Sequence, residues 1–191
     1  MLRKHIRHTI EATYPCTLDE RGLYHFLRSQ GMAPASIARL TVTIDQHREV
    51  AWNTLWLPDG VYDMSTVTIL VSTNWIAEDV YWQAFRDARA RWPFWLTLTA
   101  FSLARVLRAR LRRPVVLGAL PHRQREQIVR HLNRILLHEI KHYLDHMRGV
   151  TDAPEEEAWA NLFEREYRRQ RFIRIRDGRP HPLSQRSPPL A

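Results

Sequence analysis

Cysteine is nearly absent from this sequence. The lone Cys16 excludes an internal disulfide framework and any zinc site built on several thiolates, and it points to a reducing compartment. Lysine is almost as scarce. Of the 29 cationic residues only Lys4 and Lys141 are lysine, and the rest are arginine. Long hydrophobic runs are missing too. The best candidate, Trp92 to Leu107, is interrupted by Pro93 and Arg105 and falls short of the roughly 20 residues that span a bilayer. It reads as a buried helix, or less commonly as one lying on a membrane surface. The basic start, Met1 to His8, is followed by no apolar stretch, so no secretory signal is expected and a cytoplasmic location is.

What is present suffices for a core. Hydrophobic residues make up 45% and charged residues 26% of 191 positions, the balance of an ordinary globular chain of one domain. The net charge of +9 comes with arginine clusters at 105–113 and 165–179. Such a surface attracts DNA, RNA or anionic lipid at modest salt. A GC-rich coding sequence alone produces the same arginine skew, so nucleic acid stays an open partner.

One stretch carries chemistry. His138-Glu139-Ile140-Lys141-His142 is an H-E-x-x-H pattern inside a segment with helical periodicity. Residues four apart on a helix stand one above the other, roughly 5–6 Å apart. Two imidazoles at that spacing can each place a nitrogen on one zinc ion, at about 2.0–2.1 Å. Glu139 follows the first histidine directly, so its carboxylate can reach water on the metal and relay a proton. The bland alternative is a basic helix whose histidines face solvent, in a chain with ten of them. Against it stand the periodicity of Ile128, Leu132, Ile135, Leu136, Glu139, His142 and Tyr143, which puts both histidines at or beside the buried stripe. His131 reads as a core-edge or surface histidine.

The rest of the chain suggests an α+β fold. Thr17-Leu-Asp-Glu20 reads as a capping box opening a helix through Leu23, Phe26 and Leu27 that stops at Gly31. Leu40–Ile44, Val50–Leu57 and Val67–Val71 read as three strands of a small antiparallel sheet, with Pro58-Asp59-Gly60 as a turn. From Trp75 the pattern turns helical, to Trp92 and again from Trp95 to Arg112, before a short strand or buried loop at Val115–Leu120. Pro121 suits the start of the motif helix and Gly149 its end. Pro154 and Glu155, Glu156 and Glu157 open a last helix through Trp159, Leu162 and Phe163. The domain is expected over 1–168, an α/β part to about 73 and a helical part from 74 with the metal site. A disordered Arg-rich, then Pro/Ser-rich tail is expected over 169–191.

The third metal ligand is less plain. His146 lies eight residues from His138, about 12 Å along a continuous helix, whereas ligands of one tetrahedral zinc sit within roughly 4 Å of each other. It joins only if the helix breaks after His142. The acidic start of the next helix is the better source, since a short turn at 149–153 brings that helix back antiparallel. Amphipathicity favours Glu155 as the inward-facing residue.

His138-Glu139-x-x-His142 followed by Glu157-Ala158-Trp159-Ala160-Asn161 resembles the gluzincin zinc metalloproteases, whose downstream helix carries a Glu-Ala-x-x-Asp type pattern. Among compact bacterial members it is most similar to the regulatory peptidases of the ImmA/IrrE type, over roughly residues 125–165. The resemblance implies a zincin-like core on an active-site helix, Zn2+ as cofactor, a protein or peptide substrate, and hydrolysis at a metal-activated water. It implies His138, His142 and Glu157 as ligands and Glu139 as general base. Asn161 stands where the family has an Asp that orients a ligand histidine, a departure that holds the ring without adding charge. In such enzymes the strand before the motif helix binds substrate by its edge, and Val67–Val71 is the expected one. An oxyanion-stabilising Tyr167 or a late Arg completes the expectation. Two readings compete with this one. In the first, a non-catalytic, regulatory zinc protein contacts nucleic acid through its arginines, its site closed by Asp145 or His146. In the second, a protease of the SprT-like kind acts on DNA-bound proteins with a third histidine.

Overall fold

The computed structural model describes residues 5–10, 16–45, 60–72, 82–83, 85–110, 122–150 and 155–175. The strands are β1 (Arg7–Ile10), β2 (Cys16–Leu18), β3 (Thr41–Asp45), β4 (Gly60–Asp63), β5 (Thr68–Ser72) and β6 (Ile173–Ile175). The helices are α1 (Glu20–Ser29), α2 (Pro34–Ile37), α3 (Phe94–Arg110), α4 (His122–Met147) and α5 (Glu156–Tyr167). The fold is therefore α+β at the level the sequence suggests.

The main sheet has the order β1-β3-β5-β4, and it is mixed. β1 and β5 flank β3 in parallel, in the registers Arg7↔Thr41 and Thr41↔Thr68. β4 alone is antiparallel, with Gly60↔Val71 and Asp63↔Thr68. The expectation of an antiparallel sheet is thus corrected. Alternation fixes which face of a strand is buried and is silent on the direction of its neighbour. The strand expected at Val50–Leu57 and the loop at Val115–Leu120 lie outside the described residues, and Gly60, expected in a turn, begins β4.

Burial follows the periodicities. Val42, Ile44, Ile69 and Val71 are fully buried on one side of the sheet, and they share a core with Ile128, Leu132, Leu136, Ile140 and Tyr143 of α4. Helix α5 returns along α4, and β6 pairs antiparallel with β2 while packing on α4. Phe26 of α1 meets Phe163, Tyr167 and Phe172 edge-on or tilted, closing the far end of the core.

Several boundaries differ from expectation. The cap of α1 is Asp19, whose carboxylate accepts from the Gly22 N–H at 2.8 Å, because Thr17 belongs to β2. Gly149 does end α4, at φ 72°, a left-handed conformation that a Cβ would strain. The expected tail boundary at 169 is too early, since Phe172 and Ile173 are buried and β6 follows. Helix α3 matches the expected second apolar helix within two residues, but it is not buried: Phe94, Trp95 and Leu103 are more than half exposed. No helix among the described residues is long and apolar enough to cross a membrane.

Candidate metal centre

Helix α4 presents its motif where α5 and β4 converge on it. A cavity of about 560 Å³ opens there, with His138, Glu139, His142, Glu156, Glu157 and Tyr62 among its walls. Helix α5 packs along α4, and its acidic first turn faces the two histidines.

Nε2 of His138 lies 3.1 Å from Nε2 of His142. Glu157 sets Oε2 3.2 Å from the first of these nitrogens and Oε1 3.5 Å from the second. One ligand atom from each of the three residues can be chosen so that all lie within 4.8 Å of one another. Ligands about 2.0–2.1 Å from a tetrahedral zinc are separated by roughly 3.3 Å, the chord of the tetrahedral angle. The two histidine nitrogens, 3.1 Å apart, are close to that chord, and Glu157 brings one oxygen within 3.2 Å of the first and its other oxygen within 3.5 Å of the second. Two histidines and one carboxylate on the wall of an open cavity are a group that could hold a metal ion.

The ring orientation is held from behind. Glu156 Oε1 lies 2.8 Å from Nδ1 of His142, so the carboxylate accepts the Nδ1 proton and leaves the Nε2 lone pair facing the cluster. Burial, and then the neighbouring His142, hold His138 below the usual imidazole pKa. That favours the neutral form, which is the one that ligates.

Glu139 is only 7% exposed, and burial pushes its carboxyl up to about 7. Strand β4 lies directly over it. The Tyr62 backbone N–H donates to the Glu139 carboxylate. A Cβ placed on Gly60 would come 2.6 Å from Glu139 Oε1 and 2.4 Å from Ile135 Cγ2. Only a glycine lets the backbone approach this closely.

The site residues expected from sequence sort plainly. His138, His142, Glu139 and Glu157 come together. Glu155 does not: it is the exposed residue capping α5, whose buried residues are Ala160 and Phe163, while the Trp159 and Leu162 on which the amphipathicity argument relied are exposed. Asn161 is exposed on α5 and does not line the cavity, so the orienting position on His142 belongs to Glu156. His146 is not a ligand either. Helix α4 continues unbroken past it to Met147, and its Nδ1 is 2.7 Å from the Tyr62 hydroxyl. Asp145 is buried in an ion pair with Lys141. Tyr167 packs on Phe26 and Phe163, away from the cleft. Strand β5 has neighbours on both edges, so the edge that borders the cleft is β4.

Gly60 and Tyr62 escaped the sequence reading, and Glu156 entered it only as one of three glutamates among which the third ligand lay open, not as the partner of His142. In comparisons with known proteins, no family model, no curated protein and no solved structure matches this chain.

Proposed function

We propose that the chain is a zinc-dependent metallopeptidase of the H-E-x-x-H, gluzincin-like kind, built on a zincin-like core. One observation carries this reading. Two histidines and a glutamate, with one ligand atom each within 4.8 Å of the others, stand beside a buried glutamate and an open cleft. His138, His142 and Glu157 would hold the zinc ion, and Glu156 fixes the ring of His142. When bound, the metal polarises a carbonyl and lowers the pKa of water. Glu139 takes a proton from the attacking water and returns it to the leaving amine. Its burial and the Tyr62 N–H keep the carboxylate aimed and short of bulk water. A peptide lies extended along the free edge of β4, which among the described residues pairs only with β5.

The regulatory alternative needs a fourth protein ligand. Its two candidates are engaged elsewhere, Asp145 with Lys141 and His146 with Tyr62, which favours a site open to substrate. The deciding experiment measures zinc by plasma mass spectrometry, together with casein and peptide-library cleavage, for wild type and Glu139→Gln. One zinc in both proteins with cleavage lost only in the variant is the expected result. A wild-type protein without zinc would overturn the proposal.

A further inference from the structure

The cleft does not end at the metal ligands. Along α4 toward its N-terminus the same wall continues through Ile135, Arg134 and His131, faced by Glu164 of α5. At 1.5 Å per residue, Arg134 stands about 6 Å and His131 about 10 Å along the axis from His138. Arg134 Nε donates to Glu164 Oε1 at 2.6 Å. Glu164 is 14% exposed, while the Arg134 side chain is 61% exposed. The guanidinium is thus gripped on one side only. Among the described residues its two terminal nitrogens have no hydrogen-bond partner.

A guanidinium fixed at Nε and open at Nη1 and Nη2 presents two parallel N–H donors, the geometry that takes a carboxylate bidentately. The other carboxylates of the cleft are committed: Glu156 to His142, Glu157 to the histidine pair, Glu139 to the Tyr62 N–H. None competes for that face of Arg134.

We infer that Arg134, positioned by Glu164, is a specificity-determining residue that binds a carboxylate of the peptide substrate one or two residues from the scissile bond. This rests on the peptidase reading above. The span follows from the roughly 3.3 Å per residue of an extended peptide. The carboxylate has two sources, the substrate's own C-terminus or an acidic side chain.

The test uses zinc-loaded full-length protein and synthetic hexapeptides in matched pairs. One pair differs in a free C-terminal carboxylate against an amide, the other in an internal Glu against Gln. Cleavage is measured for wild type, Arg134→Gln and Arg134→Lys. Affinity is measured by fluorescence anisotropy on Glu139→Gln with and without Arg134→Gln, independently of turnover. The expected result is a preference of roughly 10- to 100-fold for one carboxylate peptide, the size of one charge-assisted pair. Arg134→Gln abolishes it while the neutral peptides are handled as by wild type. Arg134→Lys, which keeps the charge and loses the fork, retains only part. The pair that shows the preference identifies the source. Equal handling of both members of each pair by wild type, or a preference that survives Arg134→Gln, overturns the inference. Carboxylate-dependent binding without cleavage by wild type would instead sink the peptidase reading and keep Arg134 as the anchor.

Discussion

At the scale of single residues, the centre depends on two positions that carry no chemistry of their own. A methyl group at Gly60 would overlap both Ile135 and the Glu139 carboxylate. Gly60→Ala is therefore expected to push β4 off α4, at a cost of roughly 1–3 kcal/mol for an overpacked contact. Peptide cleavage should fall at least in proportion, because Glu139 loses its alignment. Zinc content should not change, since the side chains that a methyl group at residue 60 meets first are Ile135 and Glu139, neither of them a proposed ligand. Thermal melting, metal analysis and peptide assay on one preparation check all three, and unaltered cleavage would refute the close approach. Glu156 acts through His142. Glu156→Ala frees the Nδ1 side of the ring, and zinc affinity is expected to drop roughly 10- to 100-fold with stoichiometry kept. Competition with a chelator of known affinity reads that change. Asn161→Ala, by contrast, should leave it alone.

At the scale of elements, the strongly periodic α4 and the alternating strands β3 and β5 were legible to within one or two residues, and the strands of three or four residues were not. Helix α4 could be read from Ile128, Leu132, Leu136 and Tyr143, and with it the placement of His138 and His142 on a shared face. Glu157 was legible only through a motif, because a periodicity argument preferred Glu155 on the face of Trp159 and Leu162, which are exposed, while Ala160 and Phe163 are buried. Strand β4 left no signal. Its four residues, Gly-Val-Tyr-Asp, begin with a glycine that local chemistry assigns to a turn, and only tertiary contact with α4 explains it. Asn133 was equally silent. It looks like an interruption of the apolar stripe, yet it is fully buried and satisfies all four of its hydrogen-bonding positions. Its Nδ2 donates to the carbonyls of Val129 and Ile173, and its Oδ1 accepts from the N–H groups of Phe172 and Ile173. Asn133→Ala leaves three backbone groups before and within β6 without partners, a loss on the order of 3–9 kcal/mol at about 1–3 kcal/mol each. Urea denaturation should show the midpoint falling with the slope unchanged, and a near-neutral result would mean that β6 is held some other way.

At the scale of the whole molecule, the arginine-rich end of the chain is part of the fold that positions the metal centre. Composition suggested a tail from 169, because charge density and the approach of proline-rich sequence outweigh three short apolar residues in any window. The pairing of Cys16↔Ile175 and Leu18↔Ile173 ties that end to the start of the chain, which no local signal can reveal. Phe172 and Ile173 are buried in the same core that supports α4, and Asn133 fastens them one turn and a half before His138. Ending the chain after Arg168 removes both side chains, at roughly 1.5–3 kcal/mol each, and takes from Asn133 both donors to its Oδ1 and one of the two acceptors of its Nδ2. The loss is comparable with the whole net stability of an ordinary domain, about 5–15 kcal/mol. The truncated protein is expected to lose its cooperative melt, and to lose zinc with it, because the ligand spacing depends on α4 staying seated between β4 and α5. Circular dichroism melting with and without added zinc separates the outcomes. A cooperative transition within a few degrees of wild type would show that the fold is complete at Arg168, and that β6 is an ornament on it.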